Sequence, residues 1–366
     1  MRKVFQVLTT LSKGDAVSND TLAIKDLLKK NGYKNSAIYA EHLDPKFMSK
    51  TIKPYHVMPK PDKNDIMLYH LSTGTVLNSK IMDIDCRKFV IYHNMTPPDF
   101  FVPYSGTQAR LCSQGIEEAK ALKDTFEGGI CDSSFNKDQL LSYGYTCPLE
   151  VCPILVPFSD YDKTPDAGVL DAMGGAALEN DHEIKNILYV GRIAPNKKPE
   201  DLMTMVYAYR QRFGDKIRLI LAGSTQGMDK YTARLQTYCR RLGLDDIVVF
   251  TGHITFPQIL AYYRSADCFV TLSEHEGFCV PLLEAMHFKT PIIAFDSCAV
   301  PETLGGTGIL LDSKSPAVMA QTLNEVLTDK ELRAKMIEEQ SERLKYFSYE
   351  NVSSMFMDEL KKLTGV

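Results

Sequence analysis

Glu276 and Glu284 are separated by seven residues in the stretch EGFCVPLLE, which follows the apolar run CFVTLS. Pro281 suits the first turn of a helix that continues through LLEAMHF. Glu276 then falls in the loop before that helix, and Glu284 lies one to two turns on. Free backbone N–H groups at the helix start, near Val280, form an anion site reinforced by the helix dipole. A carboxylate before it and another on its inner face can each accept hydrogen bonds from paired hydroxyls. A ribose diol or a sugar ring beside a phosphate offers that chemistry. On spacing alone the pattern also describes two surface glutamates flanking an ordinary strand-to-helix turn, because short motifs recur by chance.

A basic turn lies at the end of another apolar run. In VGRIAPNKK, Arg192 and Lys197 leave the strand NILYV on the rim where Glu276 is expected. Arginine grips phosphate oxygens with a planar fork and lysine adds a point charge, so the two could neutralise a departing pyrophosphate; a solvated basic loop is the plainer alternative. His93 ends KFVIY and opens a polar loop, which makes it a candidate for an open edge. His70, at the end of IMLY, reads as a satisfied structural histidine. Gly14 closes the first strand before a helix capped by Ser18 or Asn19, and a glycine there allows a ligand to approach the backbone. Asp83-Ile84-Asp85 and Asp160-Tyr161-Asp162 match a metal-binding D-x-D pattern but sit in a turn and a linker, and both read as solvated turns. Metal is therefore not expected. A dinucleotide G-x-G-x-x-G, a P-loop, H-E-x-x-H and G-x-S-x-G are all absent.

The elements that must position these residues alternate along the chain. Apolar runs at 4–10, 36–41, 65–70, 88–93, 128–134 and 151–157 alternate with helical patterns such as 19–33 and 115–126. Runs at 186–192, 218–224, 247–253, 268–273, 291–296 and 308–312 repeat the rhythm, and three helices are expected at about 316–328, 330–346 and 349–363. Continuous apolar strands alternating with helices imply parallel sheets covered on both faces. The acidic, Gly- and Ala-rich stretch 159–185 reads as a linker. The expected organisation is a first domain at 1–158, this linker, a second domain at 186–346, and a last helix at about 347–366 that returns to the first domain. Ligands of open α/β sheets bind beyond the C-terminal strand ends.

Length and composition agree with two soluble domains: 366 residues, 44% hydrophobic and 24% charged. A net charge of −4 argues against a nucleic-acid binder. Locally, residues 1–60 hold eleven Lys or Arg against five acidic residues. A solvated lysine face explains this, and contact with anionic lipid or a phosphate-bearing acceptor is the sharper reading. Nine scattered cysteines without a C-x-x-C pair read as reduced core thiols of a cytoplasmic protein. The amino-terminal apolar stretch is short for a signal peptide and fits a first buried strand. No run is long enough to span a bilayer, so any membrane contact would be peripheral, at the cytoplasmic face.

Taken together, these motifs resemble glycosyltransferase family 4, retaining enzymes with the GT-B fold that are common in bacterial cell-surface polysaccharide synthesis. Residues 276–284 match the family's E-x7-E motif, VGRIAPNKK its G-R-x-x-x-x-K turn, VIYHN the strand that ends in its active-site histidine, and CDSSFNKDQLLSYGY the segment before its linker. The resemblance implies an α/β GT-B architecture, two Rossmann-like doubly wound domains facing across a cleft. It implies a nucleotide-sugar donor, a glycan or lipid-linked acceptor, and no metal or other cofactor. Glu276 would bind donor-sugar hydroxyls and Glu284 ribose hydroxyls. Arg192 and Lys197 would stabilise the diphosphate, and His93 would contact the sugar or the acceptor. Gly14, Gly277, Phe278 and Val280 would line the donor site. Two departures stand out: Cys279 and Lys198 occupy positions where glycine is common in the family. The first loop, GDAVSN, keeps only Gly14 of a Gly-rich pattern. The rival readings are another GT-B enzyme, an epimerase or a phosphorylase, and a catalytically silent sugar-nucleotide-binding subunit.

Overall fold

The computed structural model describes residues 3–33 and 36–365. Arg2 and Lys34 of the basic first sixty residues, and the expected domain ends at Met1 and Val366, lie outside them. The chain divides into two compact units. The first comprises Met1–Asp99, Thr107–Pro157 and Phe347–Val366; the second comprises Phe100–Gly106 and Phe158–Tyr346.

The first unit contains β1 (Val4–Leu11), β2 (Ile38–Leu43), β3 (Ile52–Pro54), β4 (Ile66–Leu71), β5 (Arg87–Tyr92), β6 (Gly128–Cys131) and β7 (Leu149–Val151). They form one parallel sheet in the order β3-β2-β1-β4-β5-β6-β7. Both faces are buried, as the continuous apolar runs require. On one face Ile24, Leu27 and Leu28 of the helix Ala16–Lys30 join Val352, Phe356 and Leu360 of the helix Tyr349–Thr364 in one core. The last helix thus takes part in the first unit although it comes last in sequence.

The run expected as a strand at 151–157 pairs only through Leu149–Val151. Pro153 and Pro157 have no N–H to give to a ladder, so the rest is extended but unpaired. β3, by contrast, lies in a lysine-rich stretch and buries only Ile52, which is what a short edge strand needs. The first helix is capped by Asp15, not by Ser18 or Asn19. The Asp15 carboxylate accepts from the Ser18 N–H at 2.9 Å and from its hydroxyl at 2.7 Å, and the helix begins at once at Ala16.

The second unit contains β8 (Lys185–Val190), β9 (Ile217–Ala222), β10 (Val248–Gly252), β11 (Cys268–Thr271), β12 (Ile292–Phe295) and β13 (Ile309–Leu311). Again all are parallel, in the order β10-β9-β8-β11-β12-β13. The stretch expected as a free linker belongs to this unit. It holds the turn Phe158–Asp160 and the helix Ala167–Ala172, and the Asp166 N–H bonds the Pro257 carbonyl at 2.9 Å. No described helix is long and apolar enough to cross a membrane. All nine cysteines are free thiols.

Candidate active site

Strand order decides where the second unit can bind a ligand. β8 and β11 are neighbours, and chain order reverses between them. This is the switch point at which loops diverge beyond the strand ends and leave a crevice. The loop after β8 carries Arg192 and Lys197, and the loop after β11 carries Glu276. The sheet therefore brings together residues that are eighty or so positions apart in sequence.

The two loops are stitched by main-chain and side-chain bonds. The Glu274 N–H donates to the Asn196 carbonyl at 2.8 Å, and Asn196 Nδ2 donates to the His275 carbonyl at 3.3 Å. Lys197 Nζ lies 2.6 Å from Glu276 Oε2. Lys198 and Lys314 both meet Glu274, at 3.0 and 2.9 Å, and Lys314 also pairs with Asp201 at 2.8 Å. Burial alone would raise the Glu274 carboxyl, but its bonds and charge contacts with Lys314 and Lys198 hold it below the usual range. Asn196, Glu274 and Lys314 were not singled out from the sequence; their part depends on contacts that no local spacing reveals. Arg192 is exposed, and its Nη2 donates to the Gln226 carbonyl at 3.2 Å. Its loop leaves β8 where backbones crowd: a Cβ on Gly223 would sit 1.8 Å from the Gly191 oxygen, so only glycine fits there.

The helix Val280–His287 begins as expected, with Pro281 in its first turn. Its N-cap, Cys279, is left-handed at φ 72°, and Lys198 is left-handed at φ 51°. Both residues therefore adopt the backbone shape that glycine favours. Phe278 is buried and presents no open face, so only its backbone is at hand for a donor; Gly277 and Val280 are partly exposed. Glu284 faces inward, and both of its oxygens are engaged. The Tyr161 and Tyr263 hydroxyls donate to Oε1 and Oε2, each at 2.6 Å. Tyr161 is the central residue of Asp160-Tyr161-Asp162. Its aspartates do behave as surface groups, pairing with Lys163 and His287, but the tyrosine between them is buried against a candidate ligand group.

In the first unit Gly14 has φ 80° and open space where a Cβ would lie, in the loop after β1. That strand and β4 mark this sheet's own switch point. His93 departs from expectation. Its side chain is 2% exposed, and both ring nitrogens are committed, so it offers none to a ligand. Gln6 explains the arrangement. Its amide nitrogen donates to the Thr21 carbonyl at 3.0 Å, so its oxygen must accept from His70 Nε2 at 2.9 Å. His70 Nδ1 is then an acceptor, and His93 Nε2, 2.8 Å away, must donate to it. His93 Nδ1 faces Asp132 at 2.9 Å and must donate as well. Two donors on one imidazole make His93 an imidazolium. Burial works against that charge, but Asp132, Asp20 and Asp15 outweigh it and raise the His93 pKa. Burial and the neighbouring His93 charge push the His70 pKa well down.

Asp20, His70 and His93 bring potential ligand atoms within 4.8 Å of one another, the one such group of three among the described residues. A cation there would have to displace the hydrogen bonds just described. The Asp20 carboxyl is pushed up to about 7 by burial, with Asp132 adding to the shift and His93 and the Leu155 N–H opposing it.

Residues 176–343 match the family described as Glycosyl transferases group 1. The D-inositol 3-phosphate glycosyltransferase of Corynebacterium glutamicum is 30% identical over 181 residues, covering 48% of this chain and 43% of that protein. That of Corynebacterium kroppenstedtii is 26% identical over 263 residues, covering 69% of this chain and 56% of that protein. The chain thus spans about half the length of the curated relatives it matches. Among solved structures, HepE of Anabaena in complex with UDP and glucose superposes with a TM-score of 0.75 at 14% identity, covering 99% of this chain and 100% of that one. Sucrose-phosphate synthase of Thermosynechococcus elongatus gives 0.76 at 16% identity and covers 100% of both chains. The fold is the GT-B combination of two Rossmann-like α/β domains.

Proposed function

We propose that the protein transfers a hexosyl or similar sugar from a nucleoside-diphosphate sugar to a glycan or lipid-linked acceptor, with retention of anomeric configuration. The observation that carries this reading is the β8/β11 switch point, where a basic turn and a carboxylate loop are stitched together ahead of a helix N-terminus. Glu276 accepts hydrogen bonds from sugar hydroxyls, and Glu284 accepts them from ribose hydroxyls. Lys197, Arg192 and the N–H groups at the start of the helix Val280–His287 stabilise charge developing on the leaving diphosphate. The positive charge comes from side chains and backbone, so this reading needs no metal. His93 has both ring nitrogens bound to neighbouring side chains and is given no contact with the sugar in this reading.

A structural neighbour solved with UDP and glucose supports a nucleotide-sugar donor, and relatives named D-inositol 3-phosphate glycosyltransferase support glycosyl transfer. The acceptor class, the setting in surface polysaccharide or glycoconjugate assembly and a cytoplasmic location belong to this proposal. So does a peripheral contact with anionic membrane, which draws support from exposed Lys46, Lys50, Lys53, Lys60 and Lys63 beside exposed Met48 and Val57.

The test is a thermal-shift screen of the full chain with UDP, GDP, ADP and their sugars, followed by transfer from the stabilising donor to acceptor extracts. A donor at a hundred times its Kd should stabilise by about 2.7 kcal/mol. Donor conversion without any acceptor would favour an epimerase, and binding with no transfer would favour a silent subunit.

A further inference from the structure

Glu284 is held by two phenols from different parts of the second unit. Tyr161 follows the turn Phe158–Asp160, and Tyr263 lies in the helix Phe256–Ser265. Neither ring is free to swing. Tyr263 is fully buried and stacks on Phe288 at 5.2 Å between centroids and 6° between planes. Tyr161 is buried and meets Phe256 edge-on at 5.3 Å.

A carboxylate offers about four lone-pair positions, two on each oxygen. One hydroxyl occupies each oxygen here, which leaves one acceptor position on each. A ribose presents two adjacent hydroxyl donors. We infer that Tyr161 and Tyr263 are positioning residues for the donor's ribose: they fix the plane of the Glu284 carboxylate and leave one acceptor site per oxygen for the two hydroxyls of the diol. The phenols also counter the burial that raises the Glu284 carboxyl, because both hydrogen bonds favour its charged form. This explains why a tyrosine stands between two surface aspartates in a segment that otherwise reads as a linker.

The inference rests on Glu284 as the ribose-binding group, and the experiment separates the two. The full chain is titrated calorimetrically with ADP, GDP and UDP, and then with the 2′,3′-dideoxy form of the tightest binder. Wild type should prefer the ribonucleotide. Tyr161→Phe and Tyr263→Phe should each lose about tenfold in ribonucleotide affinity while dideoxynucleotide affinity stays within about twofold. Glu284→Gln, which leaves both tyrosines in place, gives the reference for lost ribose recognition, and adding Tyr161→Phe to it should cost nothing further. If Tyr263→Phe does not fold, Tyr161→Phe alone decides. Equal losses for both nucleotides would mean a merely structural role and overturn the inference, as would an unchanged preference in the folded variants. A wild type that binds none of the three, or that does not distinguish ribose from dideoxyribose, removes the Glu284 reading itself and the inference with it.

Discussion

Lys197 Nζ and Glu276 Oε2 are 2.6 Å apart, with side chains 21% and 11% exposed. This ion pair joins the two loops that flank the switch point, and each partner neutralises the other where a donor's charge would arrive. Removing one partner of such a shielded pair leaves the other uncompensated. Lys197→Ala should therefore lower kcat by roughly 100-fold, the scale seen when one preorganised charge contact is lost. Glu276→Gln should also impair turnover. The double variant should be clearly less impaired than the product of the two losses, because the residues act on each other. Strictly multiplicative losses in steady-state kinetics would refute the coupling.

The protonation of His93 is open to direct observation. Nitrogen NMR of the imidazole rings near pH 6.5, where an ordinary histidine is half protonated, should show His93 mostly with protons on both nitrogens and His70 as the neutral Nε2–H form, since the Gln6 amide is pinned by Thr21. Asp132→Asn removes the carboxylate that most strongly opposes the burial penalty on this charge, so His93 should then lose its second proton at lower pH. A neutral His93 in the wild type would break the chain of donors from Gln6 to Asp132.

Asp20 gives the first unit a pH dependence of defined sign. Its folded pKa, about 7, lies above its ordinary 3.8, so the native protein keeps a proton that the unfolded chain has released. Stability should therefore fall as pH rises from about 4 to about 7. The raised His93 pKa adds a loss of the same sign above its unfolded value. Asp20→Asn keeps an oxygen to accept from the Leu155 N–H and should flatten the slope between pH 5 and pH 7. Urea unfolding at several pH values reads this out, and an identical slope in the variant would contradict it.

Most of the strands were legible because a strand buried on both faces must be largely apolar, and β1, β4, β5, β8, β9 and β12 are. β3 was not, since a three-residue edge strand between lysines carries almost no apolar signal. The run 151–157 misled for the opposite reason, being apolar enough for a strand but barred from pairing by Pro153 and Pro157. The site divides the same way. The spacing of Glu276 and Glu284 and the Arg192–Lys197 turn are local patterns, visible in one short window. Tyr161 meets Glu284 across 123 positions, and the closed His70–His93 pair exists only because β4 and β5 are neighbours. Contacts of that kind leave no mark on local sequence.

Lys198 and Cys279 test the backbone argument. A side chain held in the left-handed region costs roughly 1–2 kcal/mol that glycine avoids. Lys198→Gly relieves this at φ 51°, but it gives up the partly exposed pair with Glu274, worth about 0.5 kcal/mol, and it loosens the unfolded chain. The net effect should be a gain of up to about 1 kcal/mol in unfolding free energy. Lys198→Ala loses the same ion pair yet keeps its Cβ, so it should be destabilising. Cys279→Gly relieves the same strain but leaves a small gap where the buried thiol was, and should come out near neutral. Denaturant unfolding of the three variants separates the terms: if glycine and alanine at 198 behave alike, backbone strain at that position does not limit the stability of this turn.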